Sequence, residues 1–190
     1  MRSPDRRLHA LCVLVALVGA LLVPGVVGAQ SAHDEYEVKA AFLFRISRAF
    51  TWPDSVLDHG TEVLRVGVLG HDPFGDSLRE IFHEKTSTQG HVYHVVEVTS
   101  LDDARACQVL FVPEDLEPAQ REWLGELGES GILLVGEAPE FVRDQGGILA
   151  LVLDGTRMGM VLNVEELAAS GLQASSQFLR LCTIVGDRGR

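Results

Sequence analysis

The fold is predicted most directly by one stretch, Leu64-Arg65-Val66-Gly67-Val68-Leu69-Gly70-His71-Asp72-Pro73-Phe74-Gly75. Its apolar run is short and nearly uninterrupted, which is typical of a strand buried on both faces. Gly70 ends the run, Asp72 can cap a following helix, and Pro73 suits a first helical position, where no backbone donor is needed. A strand that leads through a tight turn into a helix is half of a βαβ unit.

The rest of the chain continues this alternation of strands and helices. Further strands are predicted over 91–98, 107–112, 131–135, 147–153 and 158–164. Helices are predicted over 34–50, 74–82, 101–106, 117–128, 139–145, 165–170 and from 175 through 184. Because Asp154-Gly155 is a two-residue hairpin signal, the strand after it is expected to return antiparallel. The pattern predicts an α/β fold: a mostly parallel sheet with helices on both faces and one antiparallel C-terminal hairpin strand.

The first predicted helix has an apolar stripe of residues spaced four apart: Val38, Phe42, Ile46 and Phe50. This spacing predicts that the stripe faces the core. Lys39 falls on the other side of the helical pattern, together with Arg45 and Arg48, and is expected in solvent.

The N-terminus has the pattern of an export signal. Three arginines precede an apolar run over 8–27, and Val27-Gly28-Ala29 supplies the small residues that a signal peptidase requires. Residues 1–29 are therefore predicted to be a signal peptide cleaved after Ala29, which leaves 30–190 as a single exported domain. A retained membrane anchor is the alternative, and it is disfavoured because Pro24 and Gly25 interrupt the run.

The composition is acidic, with a net charge of −11. Removing the first 29 residues, which carry three arginines and one aspartate, makes the net charge −13. Such a charge argues against nucleic acid or an anionic membrane surface as a partner. It keeps the domain soluble and also suits a basic patch on a protein partner.

No pattern in the sequence indicates catalysis, a metal or a cofactor. The Gly-x-Ser-x-Gly elbow and the glycine-rich phosphate loops are missing, and His91 and His94, three apart on a strand, point to opposite faces. The carboxyl end of the first long strand offers a candidate ligand crevice, since open α/β sheets bind ligands there. Its residues are Gly70, His71, Asp72 and Gly75, and a turn that needs glycine and an aspartate cap is the simpler interpretation.

Three apolar side chains share one face of the returning strand: Met158, Met160 and Leu162. Core packing is the simpler interpretation. If the face is open, the flexible thioethers form an adaptable partner surface. Phe74, beside the first turn, is a weaker candidate for the same role.

The order of the motifs resembles the YfiR family of periplasmic proteins. The residues that carry the resemblance are Glu35-Tyr36, Val38 to Phe44, Trp52-Pro53, Val68-Leu69-Gly70, Asp72 to Gly75, Cys107 to Val112, Gly146-Gly147-Ile148, Asn163 and Ala169 to Leu181. The resemblance implies a non-enzymatic repressor that binds the periplasmic domain of an inner-membrane diguanylate cyclase and so controls cyclic-di-GMP and biofilm formation. It also implies an OmpA-like outer-membrane lipoprotein that sequesters the repressor; homodimerisation stays open. A periplasmic small-ligand-binding sensor is the alternative.

The sequence departs from the family at two places. Family members often carry a cysteine near Gly67 that can pair with the one matching Cys107, and here that partner is glycine. We therefore expect Cys107 and Cys182, which both lie in apolar runs, to be buried and unpaired. The returning strand also lacks the Arg-Phe-Glu residues common before the family's asparagine, Asn163 here.

Overall fold

The computed structural model describes residues 26–53, 56–57, 63–128, 130–155 and 157–186, with the backbone alone described for 26–33. The fold that follows is that of the compact unit Tyr36–Arg190. Nearly all of the predicted signal peptide lies outside the described residues, so cleavage after Ala29 stays a prediction. No helix among the described residues is both long enough and apolar enough to cross a bilayer.

A seven-stranded sheet in the order β3-β2-β4-β5-β6-β7-β9 forms the centre of the fold. Its strands are β2 (Val63–Leu69), β3 (Val92–Val98), β4 (Val109–Val112), β5 (Leu133–Gly136), β6 (Leu149–Asp154), β7 (Arg157–Asn163) and β9 (Thr183–Val185). All neighbours are parallel except β6 and β7, which form the antiparallel hairpin, with Asp154 paired to Arg157 at its tip. This confirms the predicted fold class.

Helices cover both faces of the sheet. They are α1 (Val26–Ser47), α2 (Ser77–Phe82), α3 (Leu101–Arg105), α4 (Pro118–Leu127), α5 (Pro139–Asp144), α6 (Val164–Ser170) and α7 (Ser176–Leu179). Leu64, Val66 and Val68 of β2 pack in the cluster that contains residues of α1, α2, α6 and α7. Leu69 belongs to the opposite cluster, with residues of α3, α4 and α5. β2 thus contributes apolar side chains to both faces, which is why its sequence is a nearly continuous apolar run.

The buried face of α1 only partly matches the predicted stripe: Ile46, and Phe50 beyond the end of the helix, are buried as predicted. Ala40, Leu43 and Ile46 are buried, whereas Val38 is 45% exposed and Phe42 is only half-buried. Lys39, expected in solvent, is 3% exposed. The physical reason is that Lys39 has a buried carboxylate partner, described below, so the helix is rotated relative to its apolar stripe.

The helix predicted after Pro73 begins later, at Ser77. Asp72 does not cap it: its Oδ1 accepts a hydrogen bond from the Phe74 amide at 2.8 Å, which closes a local turn. Asp76 is the N-cap residue of α2, without a side-chain capping bond. The Asp-Pro pair therefore marks a turn, and the helix starts once Phe74 has been placed in the core.

The C-terminal part differs from the predicted long helix. Ser175 caps α7 as predicted, with its Oγ accepting from the Phe178 amide at 3.3 Å, but α7 ends at Leu179. The chain then forms β9, which runs parallel to β7 at the edge of the sheet. A two-stranded pair, β1 (Phe50–Thr51) and β8 (Gln173–Ala174), was not predicted either, because strands this short carry no periodic pattern.

Candidate functional site

An apolar groove of about 280 Å³ lies between α1 and α7, with β7 at its base. We call it the α1–α7 groove. Its lining residues are Phe42, Arg45, Ile46, Ala49, Met160, Ser175, Gln177, Phe178 and Leu181. Apolar surface that remains open in a folded domain is typical of a site that binds another molecule.

The walls of the groove are fixed to each other by the β1–β8 pair. Phe50 is paired with Ala174, and the Ser175 amide donates to the Ala49 carbonyl at 2.9 Å. The rings of Phe50 and Phe178 pack edge to face with centroids 5.4 Å apart. α7 is therefore held against the end of α1 by backbone hydrogen bonds as well as by side-chain packing.

The mouth of the groove is apolar and accessible. Leu181 is 68% exposed, the largest exposure among the exposed large hydrophobic side chains of the described residues. Phe42 and Met160 are half-buried, while Phe178 is 7% exposed and forms part of the floor. Arg45, which is exposed, adds a positive charge beside this apolar surface. The groove can thus receive an apolar anchor that has a negative group next to it.

The rotation of α1 that opens the groove coincides with a buried ion pair. Lys39 Nζ contacts Glu137 Oε2, and the two side chains are only 4% and 7% exposed. The Tyr36 hydroxyl donates to the same oxygen at 3.0 Å, and Glu137 Oε1 accepts from the Glu114 amide at 3.2 Å. With Lys39 turned to the sheet, Phe42 is left on the flank of the helix, where it lines the groove.

The structure places the four predicted partner residues in different environments. Met160 lines the groove. Met158 is half-buried and, like Met160, packs against the core cluster that contains residues of α1 and α7. Leu162 is fully buried, and Phe74 is 1% exposed between the rings of Tyr36 and Phe111. Leu162 and Phe74 are core residues and offer no surface in this conformation, because β7 and the turn both lie under helices.

The predicted ligand crevice lies at the point where the strand order reverses, between β2 and β4. Gly70, with φ of 79°, and Gly75, with φ of 58°, both adopt the left-handed conformation that favours glycine. His71 is exposed and Asp72 is engaged in the turn. A Cβ at Gly70 would lie 2.9 Å from Gln120 Oε1 and 3.4 Å from Leu116 Cδ2. Side chains of the protein itself thus reach the position beside Gly70, and the left-handed glycines and the Asp72 turn agree with the simpler interpretation of this segment as a turn.

The two described cysteines are free thiols. Cys107 is buried, and burial raises its pKa to about 12. Cys182 is half-buried rather than fully buried as predicted, and burial raises its pKa to about 11. Each donates a weak hydrogen bond to a backbone carbonyl four residues earlier, that of Asp103 or Phe178. Both are protonated at neutral pH and are therefore poor nucleophiles.

Replacing Gly67 with cysteine is expected to create a disulfide with Cys107. A Cβ at Gly67 would lie 2.7 Å from Cys107 Sγ, close to the roughly 3 Å that separates a Cβ from the partner sulfur in a disulfide. A Val98 methyl at 2.6 Å must turn aside. After oxidation, thiol titration of a chain that begins after Ala29 should count one free thiol in denaturant.

A matched control is Gly125→Cys on α4, where an added Cβ would meet nothing within 4 Å. That variant should keep three free thiols. A count of three for Gly67→Cys as well would show that position 67 and Cys107 cannot be bridged.

Sequence reasoning found Met160 but missed the rest of the groove mouth. Phe42 and Leu181 were both assigned to apolar faces of helices and so to the core. Leu181 lies beyond the short α7, whose first turn Ser175 caps. Helical periodicity therefore does not determine whether the Leu181 side chain is buried.

The α1–α7 groove is thus an open apolar surface on an α/β domain. Among the described residues, no group of three or more histidine, cysteine, aspartate or glutamate side chains is placed to hold a metal ion. A family model described as YfiR/HmsC-like matches residues 36–183, and the chain belongs to that family. The family is one of periplasmic regulators of cyclic-di-GMP signalling.

Solved structures show only distant likeness. A conserved domain protein from Vibrio cholerae O1 biovar El Tor is 14% identical, with a TM-score of 0.49, over 78% of this chain and 59% of that one. An ABC domain in complex with L-Trp from Streptococcus pneumonia is 13% identical, with a TM-score of 0.48, over 77% of this chain and 60% of that one. The chain thus spans about three fifths of each. No curated protein matches the sequence.

Proposed function

We propose that this protein is a periplasmic repressor that binds the periplasmic domain of an inner-membrane diguanylate cyclase and favours its inactive state. Membership of a family of cyclic-di-GMP regulators supports the signalling pathway. The observation that carries the proposal is the α1–α7 groove, whose exposed Leu181 and half-buried Phe42 and Met160 form an open apolar surface.

Repression by binding requires that the repressor binds the inactive state of the cyclase more tightly than the active state. A binder shifts a two-state enzyme only through different affinities for the two states, and a shift from 99:1 to 1:99 needs a difference of about 5.5 kcal/mol. Such a difference requires buried apolar anchors at the interface, because exposed charge pairs each contribute little. The groove meets this demand with aromatic, thioether and leucine side chains around one cavity, and Arg45 beside them favours an anchor flanked by an acidic residue.

The partner surface that we propose differs from the one predicted from β7. Met160 belongs to the proposed surface together with Phe42, Phe178 and Leu181, and Met158 adjoins it on the same face of β7. We further propose that an OmpA-like outer-membrane lipoprotein relieves repression by sequestering the repressor, and competition for the groove would account for that relief.

Leu181→Asp is expected to weaken binding to the cyclase's periplasmic domain by about 30-fold or more, as loss of an interface hot spot does. Since Leu181 is 68% exposed, the fold should tolerate the change. Affinity is measured by calorimetric titration with the purified domain. In cells, deletion of the gene should raise cyclic-di-GMP and surface attachment, wild-type protein should lower both, and Leu181→Asp should not.

Val92→Asp is the matched control, because Val92 is 45% exposed on β3, at the opposite edge of the sheet from β9. It adds the same charge and should bind and repress like wild type. Equal affinity of the two variants would remove the groove from the interface. Unchanged cyclic-di-GMP on deletion, in a strain that carries a candidate cyclase, would contradict repression itself.

A small-ligand sensor is the second candidate function, and a cavity of about 300 Å³ at the carboxyl ends of β4 and β5 favours it. Glu114, Arg121 and Glu137 contribute polar groups to its lining, and open α/β sheets bind ligands at this end. Because Glu137 also holds Lys39, a ligand that competed for this carboxylate would act directly on α1. Saturable binding of a small molecule that Glu137→Gln removes, without any cyclase affinity, would favour this function over repression.

A further inference from the structure

A second cleft lies on the other face of the sheet from the α1–α7 groove, at the amino ends of β2, β3 and β4. It measures about 280 Å³, and we call it the amino-end cleft. Three basic side chains line it, each from a different element: Arg65 from β2, His94 from β3 and Arg105 from the end of α3. Among the residues that the structure describes, no aspartate or glutamate belongs to its lining, although the chain has 27 aspartates and glutamates and only 16 lysines and arginines.

The register of the sheet brings two of these side chains together. Arg65 and His94 are direct partners on the parallel strands β2 and β3. Side chains at partnered positions leave the sheet on the same face, with the strands about 4.8 Å apart. Both residues are exposed, so the guanidinium and the imidazole share one solvent-accessible space.

The remaining polar groups of the cleft are already engaged. Arg105 is held by Glu126, at 2.5 Å, and by Asp102, at 3.5 Å, which fixes its guanidinium at the rim. Gln108 Oε1 accepts from the Arg65 amide at 2.8 Å, and Gln108 Nε2 donates to the Ala106 carbonyl at 3.4 Å. These bonds give the cleft a fixed floor and rim before any ligand arrives.

The Arg65 side chain differs in this respect from those of Arg105 and Gln108. Among the residues that the structure describes, no carboxylate forms an ion pair with its guanidinium, in contrast to Arg105. The positive charge of Arg65 also acts on a buried group: burial raises the pKa of the Cys107 thiol, and this charge opposes the increase. An arginine fork with its donors uncommitted, beside an imidazole, matches a carboxylate or phosphate group geometrically and electrostatically.

We propose that the amino-end cleft binds a small oxyanion, through Arg65 with support from His94. The volume lies just below the range of pockets for drug-sized ligands, so the ligand is a small anion. A phosphate and a small dicarboxylate present the same chemistry to an arginine fork. The site is independent of the groove, since it lies on the other face of the sheet and shares no lining residue with it.

The test uses inorganic phosphate and succinate as separate probes of the whole protein, with chloride at matched ionic strength to remove general screening. Calorimetric titration gives the affinity, and backbone amide shifts in NMR give the location. We expect saturable binding of at least one probe, with the largest shifts at Arg65, His94 and Ala106. Binding of phosphate alone would identify phosphate as the oxyanion that the cleft accepts. Binding of succinate alone would identify a small dicarboxylate.

Arg65→Gln should weaken that binding roughly tenfold or more, as loss of a charge-assisted bidentate contact does. Arg65→Lys should weaken it less, because the charge remains and only the fork is lost. Arg79→Gln is the matched control, since Arg79 is exposed on α2 and the change in net charge is identical. The proposal is overturned if neither probe binds at millimolar concentration, or if Arg65→Gln and Arg79→Gln bind equally well.

Discussion

Lys39→Met is expected to lower the free energy of unfolding by about 3–5 kcal/mol. The substitution removes one member of a buried ion pair and leaves the Glu137 carboxylate with only the Tyr36 hydroxyl and the Glu114 amide as described donors. An uncompensated buried charge costs far more than the intact pair contributes, which is why removing one partner is so unfavourable. Urea unfolding followed by circular dichroism measures the change.

Two further variants separate this effect from general causes. Lys85→Met changes an exposed lysine in the same way and should stay within about 0.5 kcal/mol of wild type. Adding Glu137→Gln to Lys39→Met should recover part of the loss, because a neutral amide still accepts from Tyr36 but carries no buried charge. If Lys39→Met were as stable as wild type, the ion pair would not fix the orientation of α1.

Phe74→Ala is expected to cost about 3–5 kcal/mol of stability, as truncation of a buried phenylalanine does. Its ring packs edge to face on Phe111, with centroids 4.7 Å apart, and on Tyr36, at 5.3 Å. The side chain is 1% exposed, so the substitution leaves a cavity between α1 and β4. The unfolding midpoint in urea should fall without a change in the slope.

The comparison with Leu181→Ala makes this result informative about function. Leu181 is 68% exposed, and its truncation should leave stability within about 0.5 kcal/mol while it weakens partner binding. Phe74→Ala should lower the free energy of unfolding but leave partner binding unchanged, measured under conditions where the variant remains folded. Loss of partner binding by a fully stable Phe74→Ala would restore Phe74 to the interface, where the sequence first placed it.

Six of the seven strands of the sheet, all but β9, were predictable because each is a short, largely apolar run between turn residues. β2, β4 and β5 are buried on both faces, and their sequences show it directly. The hairpin was predictable for a separate reason, since Gly155, with a φ of 61°, begins a tight turn directly after Asp154, which pairs with Arg157.

The face that α1 buries was not predictable from its own residues. The spacing of Val38, Phe42 and Ile46 indicates one face, whereas the structure buries only Ile46 of these fully and buries Lys39 as well. A lysine enters a core only when a distant carboxylate compensates its charge, and Glu137 is 98 residues away in sequence. Helical periodicity contains no information about such a partner.

The same limit explains why the groove was only partly predicted. Met160 and Leu162 lie two apart on the same face of β7. Their spacing cannot show that Met160 borders a cavity while Leu162 is fully buried. That difference depends on where α7 stops. Four residues form the helix and the chain turns into β9, so Leu181 emerges at the surface in a segment whose composition suggested a buried helix.

The α1–α7 groove is built from two segments far apart in the chain, one around Phe42 to Ala49 and the other around Ser175 to Leu181. Strand β1 can pair with β8 only after the intervening sheet has brought the two segments together. The groove therefore depends on contacts between segments near the two ends of the described domain. A chain that lacks either segment cannot form the groove, so under the proposed function only the full-length domain would silence the cyclase.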